Sequence, residues 1–152
     1  MKLSDGIIRQ IQNWEGLRLT AYKCTSGVWT IGYGQTGTVD GVKIHKGMRI
    51  TIEKADELFR NDTTYRMEKV ANMLERPANQ HEFDALVSLA YNIGTGALRK
   101  SSVLRYHNEG MRGLCAMAFL RHNKSAGVRL QPLIDRRAIE AHWYLYGTEV
   151  PE

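Results

Sequence analysis

From Thr51 to Leu74 the apolar residues Ile52, Ala55, Leu58 and Phe59, then Met67, Val70, Ala71 and Leu74, recur at helical spacing until Pro77 ends the rhythm. This run divides the chain. Before it, helical spacing covers only Ile7, Ile8, Ile11 and Trp14, with Ser4 or Asp5 as N-cap and Gly16 as the stop. Leu17, Leu19 and Ala21 then alternate as in a strand. Thr25-Ser26-Gly27 reads as a turn, and the β-branched and aromatic Val28-Trp29-Thr30-Ile31 as a second strand. Glycines 32, 34, 37 and 41 predict a loop, with one more short strand between Lys43 and Ile50.

After the long run the pattern stays helical. Asn79-Gln80-His81-Glu82 is a capping-box sequence, followed by the core stripe Phe83, Leu86, Val87 and Ala90, closed by Gly94. Shorter helices are expected over Ser102 to His107 and Met111 to Leu120. Asn123 to Gly127 is expected as loop. Pro132 suits the first turn of a last helix running to Gly147. The fold class expected is α+β: a small β-containing lobe, a connecting helix and a helical lobe, within one domain.

The chain has 152 residues, 43% of them apolar, with two cysteines and a formal net charge of +5. That is enough chain to bury a real core. No stretch is apolar enough to span a membrane, and the N-terminus lacks the apolar core of a secretory signal. Two distant cysteines, Cys24 and Cys115, exclude a disulfide scaffold and a zinc CxxC pair. Basicity favours an anionic partner without choosing among nucleic acid, a membrane surface and a bacterial wall.

The chemistry-bearing residues cluster early. Glu15 falls in the last turn of the first helix, facing the negative end of its dipole, a setting for a carboxylic acid that protonates a leaving oxygen. Cys24 sits just before the hairpin turn and can act as nucleophile or weak base. Thr30 offers a hydroxyl to a water or a substrate oxygen. Each residue alone has a blander reading: a solvated helix-end carboxylate, a small buried hydrophobe, an ordinary β-former.

Together the three are more specific. Glu-x8-Cys-x5-Thr, embedded in EGLRLTAYKCTSGVWTIGYG, resembles the active-site segment of the phage-type lysozyme (endolysin) family related to T4 lysozyme. Phe83-Asp84-Ala85-Leu86, Tyr91-Asn92-Ile93-Gly94-Thr95-Gly96 and Leu133-Ile134-Asp135-Arg136-Arg137-Ala138-Ile139-Glu140 extend the resemblance over nearly the whole chain.

The resemblance implies a lysozyme-like α+β fold. It would have an N-terminal helix and β lobe over about 1–50, a connecting helix over about 51–76, a helical lobe over about 77–152, and a cleft between the lobes. It implies a muramidase that hydrolyses the β-1,4 bond between N-acetylmuramic acid and N-acetylglucosamine in peptidoglycan, used by a phage for host cell lysis. Glu15, Cys24 and Thr30 would be catalytic. Tyr33, Gln35, Tyr91, Asn92 and Ser101 would bind substrate. No cofactor and no metal are expected, nor nucleic acid binding or stable membrane insertion, and the chain is expected to be a monomer. It would stay in the host cytoplasm until release to the periplasm through a holin. Two departures stand out: Cys24 replaces the Asp of the best-known member, and Gln35 replaces the His of many.

Three other functions remain open. A cysteine hydrolase would use Cys24 with His45 or His81. A lytic transglycosylase would use one Glu and add no water. A basic module would bind the wall or nucleic acid without chemistry.

Overall fold

The computed structural model describes residues 1–147. In chain order the elements are α1 (Asp5–Glu15), β1 (Arg18–Lys23), β2 (Trp29–Gly32), β3 (Thr38–Val39), β4 (Val42–Lys43), α2 (Ile52–Met73) and α3 (Gln80–Ile93), then α4 (Thr95–Arg99), α5 (Ser102–Asn108), α6 (Arg112–Phe119), β5 (Lys124–Ser125), β6 (Val128–Arg129) and α7 (Gln131–Tyr146). The chain forms two compact units, Ile8–Tyr65 and Met1–Ile7 with Arg66 onward, and their boundaries fall inside α1 and α2.

In the first unit, α1 ends where Gly16 accepts a left-handed conformation (φ +70°) and returns its N–H to Gln12 O at 2.9 Å. β1 and β2 pair antiparallel, Tyr22 opposite Thr30 and Lys23 opposite Trp29, with an irregularity between Arg18 and Tyr22. Of the stretch between Lys43 and Ile50 expected to hold one more strand, the last three residues pair with β1. β3 and β4 form their own small ribbon, while Met48–Ile50 line up beside β1 through the bonds Ala21 N–H to Met48 O and Ile50 N–H to Leu19 O, both 2.9 Å. Ile31, Val39 and Ile44 are the buried centre, covered by Ala21, Trp29, Met48, Ile50 and Leu58.

In the second unit, α3 is surrounded: every residue from Glu82 to Tyr91 is buried. The capping box is formed, with Asn79 Oδ1 accepting from Glu82 N–H at 2.9 Å and Glu82 Oε1 from Asn79 N–H at 3.0 Å. α3 packs on α7, and α6 packs on α5 and α7. Asp84, 1% exposed, accepts from Gln80 Nε2 (2.8 Å), Trp143 Nε1 (3.3 Å) and the backbone N–H of Ser4 (3.1 Å). It ties the start of α1 and the end of α7 to α3.

Besides β3, which lies in the glycine stretch expected as loop, α4 and the β5–β6 hairpin were not anticipated. α4 fills what the sequence shows as a glycine-flanked loop. The segment expected as loop, Asn123 to Gly127, holds β5 and the turn of the β5–β6 hairpin, made by Ala126 and Gly127 at φ +49° and +80°. That is a two-residue turn of the kind normally written Asn-Gly, so Ala126 hid it.

Candidate active site

Glu15, Cys24 and Thr30 all lie in the unit Ile8–Tyr65. Glu15 is the last residue of α1 and half-buried. Its carboxylate rests against the backbone of Gly34: a Cβ built there would stand 2.9 Å from Glu15 Oε2. Gly34 also holds φ +88°, which a side chain would strain. The turn that presents it is closed by paired bonds between Ile31 and Gln35, N–H to O at 2.9 Å in both directions.

Cys24 leads the β1–β2 turn. Its N–H donates to Val28 O at 3.0 Å, and its carbonyl accepts from Gly27 N–H at 2.8 Å. The thiol lies 2.9 Å from Ser26 Oγ. That hydroxyl, then the backbone at Val28 and Ser26 and the Thr30 hydroxyl, hold the Cys24 thiol down to about 7 from its usual value near 9. Thr30, 4% exposed, donates its hydroxyl to Val28 O at 3.0 Å. The hairpin thus surrounds a partly exposed thiol with donors.

Tyr22, on β1, joins the group, a residue that the sequence pattern does not single out. Burial raises its phenol above the ordinary value. The Arg18 guanidinium, 4.5 Å from the ring centre, opposes this, and the charges of Glu15 and Cys24 add to it. Tyr22 therefore sits within electrostatic reach of both candidates. Gly34 was missed likewise, although the Gly32-Tyr33-Gly34 pattern at the strand end was the signal for it.

The expected substrate-binding residues separate. Tyr33 is half-buried, edge-on to Phe59 at 5.4 Å between ring centres, and burial raises its phenol. Gln35 is 7% exposed; its Oε1 accepts from Tyr33 N–H at 2.7 Å and its Nε2 reaches Asp62 at 3.5 Å. Gln35 holds Tyr33 in place and does not present its amide outward.

Tyr91, Asn92 and Ser101 belong to the other unit. The Tyr91 ring is buried with the Arg66 guanidinium 4.8 Å from its centre. Asn92 is exposed, and its Oδ1 accepts from Arg137 Nη2 at 2.7 Å. Arg137 is fully buried and paired with Glu140 at 2.9 Å, and Glu140 also accepts from Ser88 Oγ. Arginine can only donate, so the bond fixes the orientation of the Asn92 amide: oxygen inward, NH₂ outward. Ser101 caps α5, its Oγ accepting from Leu104 N–H at 3.2 Å and donating to Leu98 O at 2.7 Å. It borders a cavity of about 600 Å³ with Arg99, Arg105 and Asn108.

The sequence pattern that defines phage lysozymes matches residues 12–140. The endolysin of Bacillus phage PZA is 41% identical over 150 residues, covering 97% of this chain and 57% of that protein. The chain therefore spans little more than half the length of that relative. The endolysin of Salmonella phage P22 is 39% identical over 145 residues, 95% of this chain and 99% of that one. Among solved structures, an endolysin from Escherichia coli O157:H7 phage FAHEc1 superposes with a TM-score of 0.89 at 37% identity, over 99% and 98% of the two chains. The muramidase domain of SpmX from Asticaccaulis excentricus does so with a TM-score of 0.83 at 39% identity, over 95% and 97%. With a lysozyme-like α+β fold and this breadth of match, the chain belongs to the phage lysozyme family.

Proposed function

We propose that the chain is a muramidase that hydrolyses the β-1,4 bond between N-acetylmuramic acid and N-acetylglucosamine in peptidoglycan and serves a phage in host lysis. The observation that carries this reading is the grouping of Glu15, Cys24 and Thr30 on one helix end and one hairpin, in a chain of this family. Glu15 gives its proton to the glycosidic oxygen as the bond from C1 breaks. A water held at Thr30 adds to C1, and the Cys24 thiolate takes its proton. Attack by water on the face opposite the leaving group inverts C1. Tyr33 and Asn92 contact the glycan, and the outward NH₂ of Asn92 suits a carbonyl acceptor such as an N-acetyl group. Gln35 and Arg137 position these two.

The testing experiment is digestion of purified peptidoglycan by the wild type and Glu15→Gln, with product masses and anomeric configuration. Reducing-end muropeptides with inverted C1, lost in Glu15→Gln, are expected. Anhydro sugars, lighter by one water, would make the enzyme a lytic transglycosylase, and intact glycan would leave only a wall binder.

No helix among the described residues is long and apolar enough to cross a membrane. The enzyme is held in the host cytoplasm until a holin releases it to the periplasm. Co-expression with and without a holin tests this. The enzyme acts as a monomer without binding nucleic acid, which sedimentation and a gel-shift assay test.

A further inference from the structure

Apart from Arg112 at its first position, α6 is apolar around its whole circumference. Cys115, Ala116, Ala118 and Phe119 form its buried arc. The opposite arc carries Gly113, Leu114 and Met117, and Leu120 continues it. Leu114, Met117 and Leu120 are 45%, 64% and 46% exposed. The one charged residue of the helix, Arg112, pairs with the buried Glu82 at 2.9 Å instead of facing outward with them. A helix with this composition is normally covered on every side. A contiguous apolar face left open marks an interaction surface.

What lies beside the face identifies its partner. Leu120 is followed by exposed Arg121, and the β5–β6 hairpin adds exposed Lys124 and Arg129 flanked by Val128 and Leu130. The hairpin springs directly from the helix end, with Asn123 Nδ2 donating to Leu120 O and Leu130 N–H to Asn123 O, both at 3.0 Å. No Asp or Glu occurs between Glu109 and Asp135.

We infer that the outer face of α6 and the β5–β6 hairpin dock on the surface of an anionic phospholipid bilayer. Long apolar side chains enter the boundary between headgroups and acyl chains while neighbouring cations meet lipid phosphates. The alternative occupant, a second copy of the chain across a two-fold axis, would bring the same acid-free basic hairpin against itself. The mode is peripheral, and it is independent of the muramidase reading.

The test is sedimentation of the whole protein with phosphatidylcholine vesicles, with and without phosphatidylglycerol. Binding should be about tenfold tighter with phosphatidylglycerol and fall in high salt. Met117→Glu, and separately Lys124→Glu with Arg129→Glu, should each weaken it about tenfold with unchanged melting temperature and unchanged hydrolysis of a soluble glycan. Lys46→Glu with Arg49→Glu, an equal charge change elsewhere, should have a smaller effect. Equal binding to both vesicles, indifference to Met117→Glu, or equal loss with the Lys46 and Arg49 pair would overturn the inference. Self-association abolished by Met117→Glu without vesicle binding would give the face to a second copy and overturn it too.

Discussion

At the scale of single residues, the contact of Glu15 with Gly34 leaves no room for a side chain. Gly34→Ala places a methyl 2.9 Å from the carboxylate oxygen and must displace it. A misplacement of this size should lower lytic activity roughly 100-fold, which a turbidity assay on permeabilised cells reads. Glu15→Gln keeps the shape and removes the transferable proton, so activity should fall about 10²–10⁴-fold. Its melting temperature should hold or rise, because functional groups are often kept at a cost in stability. The cysteines should part company. Cys24, lowered to about 7, should be alkylated near neutral pH with loss of lysis, whereas Cys115, buried and raised to about 11, should be spared until the protein unfolds. Because the thiolate is the form present above pH 7, the activity of the wild type relative to Cys24→Asp should climb through that pH. Full activity in Cys24→Ser at neutral pH would remove the thiolate from the mechanism.

At the scale of elements, the helical unit is tied together by buried polar groups. Asp84 joins α3 to Ser4 and to Trp143 of α7, so Asp84→Ala should cost roughly 1–3 kcal/mol for each donor left unpaired in the interior, measured by denaturant titration. His107, fully buried on α5, bridges Tyr144 Oη at 2.6 Å and Arg76 O at 3.1 Å. The Arg76 carbonyl can only accept, so Nε2 carries the proton and Nδ1 accepts from Tyr144. Burial lowers the His107 imidazole below 6.5, with the nearby Arg76 and Arg112 charges acting the same way and Glu82 and the Arg76 carbonyl against them. The unfolded chain then binds the proton more readily than the folded one, so stability should be complete above pH 6.5 and fall as pH drops below it. His122 is lowered by burial in the same sense, so melting curves of His107→Gln between pH 7.5 and 5 should show a reduced pH dependence, not an absent one.

At the scale of the whole molecule, the net charge of +5 acts on encounter. Peptidoglycan carries anionic stem peptides, and raising salt well above 0.15 M shortens the Debye length below about 8 Å. Lysis of cells should slow while hydrolysis of a short uncharged glycan stays constant; equal slowing of both would contradict the electrostatic account.

What the sequence determined by itself was everything carried by neighbouring residues. Gly16 stopped α1, Pro77 followed α2, Asn79 and Glu82 opened α3, and Pro132 sat at the start of α7, because caps and stops act within one turn of chain. Glu15, Cys24 and Thr30 were legible together for the same reason: a helix end and one hairpin hold them in a short stretch. Other features waited for packing. Gly34 against Glu15, Tyr22 within reach of two candidate charges and Gln35 turned toward Asp62 depend on how segments lie beside one another. The β5–β6 hairpin lacked the usual turn residues. The bond from Arg137 to Asn92, 45 residues apart, exists only because α7 packs on α3, and no local pattern encodes which buried arginine meets which amide. The outer face of α6 was likewise indistinguishable in sequence from core, since an apolar helix reads the same whether neighbours cover it or leave it open.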